Sequence, residues 1–124
     1  MPRRILIVDD EPNIVTSLEF LMRKCDYEVC VARDGEEALE AVKAFRPDLV
    51  LLDVMMPRKS GFEVCRRIRE DPRLGGTRIV MLSARGREAE IGKGMALGAD
   101  AYITKPFSTK ELVAKVRELL PQPA

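Results

Sequence analysis

Five short apolar runs set the limits on what this chain can fold into. They are 5–8 (ILIV), 29–32 (VCVA), 49–52 (LVLL), 79–82 (IVML) and 102–103 (YI). A strand with one wet face alternates apolar and polar residues, and these runs do not. Continuous apolar strands are buried on both faces, which implies a parallel sheet covered by helices on each side. The segments between the runs carry the helical period instead. Ile14, Leu18, Leu21 and Met22 fall at i, i+4, i+7 and i+8, and Leu112, Val116 and Leu119 repeat that spacing. Leu39 with Val42, and Val64 with Ile68, mark two more helices. The chain reads as α/β, a doubly wound (βα)5 unit with a five-stranded parallel sheet and no internal repeat.

The helix ends are marked by chemistry. Ser60 with Glu63 and Ser108 with Glu111 fit capping boxes, and Asp34 with Glu37 is a weaker version. Pro12 suits a first helical turn, where a missing N–H costs little. Gly98 and Asp71–Pro72 read as helix stops. The fourth helix, over 87–97, is the weakest. Gly92 and Gly94 lie inside it, each costing about 1 kcal/mol relative to Ala, and Ile91 and Met95 give it a thin apolar face.

At 124 residues the chain makes one domain, read as 1–120, with 121–124 (PQPA) a tail or the start of a linker. Lys and Arg number 21 against 20 Asp and Glu, so there is no polycationic footprint for nucleic acid. Arg3 and Arg4 precede an apolar stretch too short for a signal peptide, and no run has the length of a membrane span, so a cytoplasmic location is expected. Cys25, Cys30 and Cys65 are odd in number and lack metal-ligand spacing, and read as reduced core residues. The absence of histidine excludes Ser-His and Cys-His triads and most zinc sites.

Function is concentrated where the strands end. The first run ends in Asp9-Asp10, the third in Asp53, the fourth in Ser83 and the fifth in Thr104-Lys105, while the second contributes nothing obvious. In an open parallel sheet these carboxyl ends share one edge, where ligands bind. Each residue has a plainer role available, such as Asp10 as a helix N-cap, but four of five strands ending in complementary polar groups point to one cleft. Three carboxylates at close quarters repel, and an oxygen-only donor set selects Mg²⁺ or Mn²⁺ to relieve them. Asp53 is then free to act as a nucleophile toward phosphorus, with Lys105 and the Ser83 hydroxyl taking phosphoryl oxygens.

These residues, in their order, resemble the receiver domain of two-component response regulators, with a chemotaxis-regulator-like character. The likeness runs from IVDDEP through LVLLDVMMPRKSGFEV and MLSA to GADAYITKPF. It implies a flavodoxin-like fold with strand order 2-1-3-4-5 and Asp53 as phosphoacceptor. Mg²⁺ would be held by Asp9, Asp10, Asp53 and the backbone carbonyl of Met55, and Ser83 and Lys105 would contact the phosphoryl group. Tyr102 would be an aromatic switch following Ser83, and Lys105–Pro106 a cis peptide. Met55 and Arg85 would tune the phosphoryl lifetime, and Gly61 and Pro57 match the loop after the acceptor strand.

The implied donor is a sensor histidine kinase or phosphotransfer protein, since this chain has no histidine of its own, or else a small acyl phosphate. The first helix, entered at Glu11-Pro12-Asn13, is the expected kinase-docking face. The face made by helix 4, strand 5 and helix 5 would carry the output domain or partner protein, or a phosphorylation-dependent homodimer. Ala96 and Ala101 stand where the DNA-binding branch usually has acidic residues, so that particular ion-pair network is not expected, although Asp100, Lys93 and Lys115 could build another. Other readings have specific obstacles. A phosphohydrolase needs a second acid where Met55 stands, and a flavin or nucleotide site needs an anion-binding loop where Asp9-Asp10-Glu11 stands. A pure scaffold needs no intact set.

Overall fold

The computed structural model describes residues 2–56, 60–84 and 89–120. Five strands alternate with five helices: β1 (Arg4–Val8), α1 (Pro12–Lys24), β2 (Glu28–Ala32), α2 (Gly35–Phe45), β3 (Leu49–Asp53), α3 (Gly61–Glu70), β4 (Arg78–Ala84), α4 (Ala89–Ala96), β5 (Ala101–Lys105) and α5 (Thr109–Leu119). A 3₁₀ turn, Pro72–Leu74, follows α3. The strands are parallel and lie in the order β2-β1-β3-β4-β5, so the winding direction reverses between β1 and β3. The fold is the flavodoxin-like one anticipated from the sequence.

Alternation along each strand divides the core into two layers. Leu6, Val8, Val50 and Leu52 face Ala38, Val42, Val64 and Ile68 of α2 and α3. Ile5, Ile7, Leu49, Leu51 and Leu82 face Leu18 and Met22 of α1 and Leu112 and Val116 of α5. Burial on both faces holds for β1, β3 and most of β4, and loosens at the edges, where β2 is only half-buried and Tyr102 of β5 is exposed. In α1 the fully buried stripe is Val15, Leu18 and Met22, with Ile14 and Leu21 on its shoulders rather than at its centre. All three cysteines are free; Cys65 is buried, and Cys25 and Cys30 are only half-buried.

The helix ends form as their chemistry directs. Glu37 N donates to Asp34 Oδ1 at 2.8 Å, Glu111 N to Ser108 Oγ at 3.0 Å and Glu63 N to Ser60 Oγ at 3.3 Å. The return arm of the box at Ser60 is diverted, because the Glu63 carboxylate pairs with Arg66 and Arg67. Pro12 opens α1, Asp71 ends α3, and Gly98 takes φ +107° just past α4.

At the edge of the sheet where the strands begin, Arg69 ties three segments together. Its guanidinium donates to Gly98 O at 2.8 Å, Thr77 O at 2.7 Å and Asp100 Oδ2 at 2.7 Å. Asp100 Oδ2 also accepts from Ile79 N at 2.8 Å.

Among the described residues α4 is the shortest of the five helices, and only its Gly94 is fully buried. A Cβ added at Gly92 would meet no atom within 4 Å. Gly92→Ala is therefore expected to slow amide exchange through α4, corresponding to about 0.5–1 kcal/mol of local stabilisation. Unchanged or faster exchange would contradict that account of the helix.

Candidate functional site

Two strand ends bring three acids together. Asp9 follows β1 and has no exposed surface, Asp53 ends β3 at 7% exposure, and Asp10 is exposed. The plainer role for Asp10 does not hold, since α1 is entered through Glu11 with no side-chain cap. Asp9 is held from below instead: Glu11 N donates to its Oδ1 at 3.0 Å. Carboxylate oxygens of Asp9, Asp10 and Asp53 all lie within 4.8 Å of one another.

Lys105 reaches this cluster from the end of β5. Its Nζ lies 2.8 Å from Asp9 Oδ2 and 3.5 Å from Asp53 Oδ2. Burial works against the ammonium, but the hydrogen bond to Asp9 and the two carboxylate charges outweigh it and raise the lysine's pKa. Asp53 receives less help. Burial and the charge of Asp9 push its pKa up to about 6, opposed by Lys105 and by Met55 N, which donates to Asp53 Oδ1 at 3.3 Å. One ammonium shared between two buried carboxylates leaves the cluster short of positive charge. A hard divalent cation with an oxygen-only donor set fits that deficit, and the residues present suit it.

The loop after β3 depends on a missing side chain. A Cβ on Gly61 would run into the carbonyl oxygen of Asp53 and stand 2.9 Å from Val54 Cα. Gly61 N donates to Val54 O at 2.9 Å, closing the loop over the end of the strand. Glycine is needed here for close approach of two backbones.

The remaining sequence-predicted residues divide. Ser83 is buried near the end of β4, opposite Thr104 in the sheet register. Tyr102 stands outside at 45% exposure, and Met55 is exposed at 53%. Lys105–Pro106 is cis. Pro57 and Arg85 lie outside the described residues. Asp100, Lys93 and Lys115 are each engaged within the chain, Asp100 with Arg69, Lys93 over the Phe62 ring and Lys115 with Glu118. No sequence signal pointed to Phe62, because its partner lies 31 residues away on another helix.

Residues 5–117 match the response regulator receiver domain family. The chain belongs to that family. This receiver domain is 44% identical over 120 residues to the alkaline phosphatase synthesis transcriptional regulatory protein PhoP of Bacillus subtilis (strain 168). The match covers 97% of this chain and 49% of PhoP, so the chain spans about half the length of that relative. Among solved structures, the chemotaxis response regulator CheY4 of Vibrio cholerae superposes with TM-score 0.91 at 31% identity, covering 97% of this chain and all of CheY4. The receiver domain of the sensor histidine kinase PA1611 from Pseudomonas aeruginosa PAO1 superposes with TM-score 0.89 at 26% identity, covering 98% of this chain and all of that domain. That structure has a magnesium ion coordinated in its active-site cleft.

Proposed function

We propose that this receiver domain, spanning 1–120, takes a phosphoryl group onto Asp53 from a phosphohistidine of a sensor kinase or phosphotransfer protein. The observation that carries the reading is the half-compensated acid cluster, a buried nucleophilic carboxylate beside a second buried carboxylate with one lysine between them. Asp9, Asp10, Asp53 and the Met55 carbonyl are the groups assigned to hold Mg²⁺, or Mn²⁺ in its place. Bound there, the cation supplies neutralisation of the carboxylates and of the incoming phosphoryl oxygens.

In the transfer, an Asp53 carboxylate oxygen forms a bond to phosphorus as the donor's N–P bond breaks. The electron pair stays on the imidazole. Lys105 holds positive charge beside the oxygen that reacts, and Ser83 offers a hydroxyl to another phosphoryl oxygen. Acyl phosphates substitute as donors by the same displacement. The domain acts on its own carboxylate and turns over no outside substrate. Met55 and Arg85 are assigned the tuning of the acyl phosphate's lifetime.

Acyl phosphate adds charge and acceptor oxygens, which Ser83 and Lys105 are assigned to receive. Movement of Ser83, followed by Tyr102, would alter the face made by α4, β5 and α5, where an output domain, a partner protein or a second copy docks. The groove on that face, about 720 Å³, is lined by Met95, Tyr102, Pro106 and Lys115 among others. Helix α1 is the assigned docking face for the donor. The role is assigned to the cytoplasm, where the phosphohistidine donor would meet it. Among the described residues no helix is long and apolar enough to cross a membrane.

Acetyl phosphate with Mg²⁺ should add the mass of one phosphate to the wild type and none to Asp53→Asn, and chelation of the metal should abolish the gain. Labelling of another residue, or full labelling of the Asn variant, would refute the assignment.

A further inference from the structure

Helix α4 has little to hold it. Ile91 is half-buried and Met95 is 41% exposed, so it lacks the apolar stripe that seats the other helices. Contacts with Met81 of β4 and Phe62 of α3 stand in for that stripe. At Gly94 the helix comes close enough that an added Cβ would lie 3.4 Å from Met81 Cγ and 3.6 Å from Phe62 Cε1. One residue earlier, the Lys93 ammonium sits 4.7 Å from the centroid of the Phe62 ring.

Phe62 is a consequential place for such a contact. It follows Gly61, whose backbone closes against Asp53 and Val54. Its ring also bounds a void shared with Ser83, Gly94 and Tyr102. That void measures about 10 Å³, roughly one water-sized sphere and far too small for a tyrosine ring. Tyr102 therefore has no room to enter while α4 keeps this seat.

We propose that Lys93 and Phe62 form a latch that holds α4 closed over this void, which makes Phe62 a positioning residue linking the acceptor loop to α4. Phosphorylation would then act on a helix whose seat on α3 includes one ring and one ammonium, beside the route through Ser83. The role in signalling rests on Asp53 being the acceptor. The latch itself does not, because it exists in the unphosphorylated chain.

Native-state amide exchange over residues 90–98 of the unphosphorylated chain tests it. Lys93→Met and Phe62→Leu should each raise opening of α4 by about two- to five-fold, the range of an exposed cation–π contact. The double variant should open no more than Phe62→Leu alone, and Lys93→Arg should keep wild-type protection. Protection in β1 and β3 should stay unchanged in the Lys93 variants. Lys93 is exposed, so its substitution reads the contact even if Phe62→Leu disturbs packing. Unchanged α4 exchange in Lys93→Met, or effects that multiply in the double variant, would overturn the latch. Failure of the acetyl phosphate experiment would remove the signalling role and leave these exchange results standing.

Discussion

In metal-free buffer at pH 7, Asp53→Asn should unfold at a higher denaturant concentration than the wild type, by on the order of 2–3 kcal/mol. The folded chain raises the Asp53 pKa from 3.8 to about 6, through burial first and the charge of Asp9 second. A carboxyl raised in this way binds its proton more tightly when folded than when unfolded. Its contribution to stability is complete below pH 3.8 and is lost as the pH rises through about 6. At neutral pH the wild type thus carries the full penalty of an ionised Asp53, and the amide does not. Wild-type stability should fall between pH 4 and pH 6 by more than that of the variant. Mg²⁺ should raise the wild-type midpoint more than the variant's, because only the wild type presents the complete acid set. Equal midpoints without metal, or a more stable wild type, would contradict the electrostatic account of the cluster.

Gly61→Ala should be the most damaging single-methyl change near the site. The added carbon meets the Asp53 carbonyl oxygen and the Val54 backbone, neither of which can rotate away. Relief requires the start of α3 to withdraw from the end of β3, at a cost on the order of 3 kcal/mol or more, the upper range for overpacking. The withdrawal would also displace Asp53 from Lys105, so labelling by acetyl phosphate should slow among molecules that remain folded. Gly92→Ala is the matched control, since it adds the same methyl where no atom stands within 4 Å. If chemical denaturation gave Gly61→Ala a stability within 1 kcal/mol of wild type, the close approach would have to be relieved in some other way.

Periodicity and strand-end chemistry made the fold and the acid cleft legible for a simple reason. The central strands are buried on both faces, so β1 and β3 had to be apolar throughout, and any polar residue at their ends had to be there for another purpose. Asp9 and Asp53 follow from that alone, and in space they meet Lys105 from the end of the edge strand β5. The edges were less legible. Tyr102 and β2 face solvent on one side, so residue type no longer fixes their environment. Contacts between helices were not legible at all. Lys93 reads as a surface lysine on its own helix, and only the packing of α4 on α3 puts it above a ring. Asp100 likewise reads as a loop acid free for a partner molecule, and the fold consumes it in holding Arg69 and Ile79.

That last knot constrains how the fourth helix can travel. Its far end is moored: Gly98 O and Asp100 are both gripped by Arg69, and Asp100 is fastened again to the start of β4. A rod anchored at one tip swings instead of sliding. Any excursion of α4 is then greatest at the tip nearest the acids and vanishes toward Gly98, like a door turning on a hinge placed away from its handle.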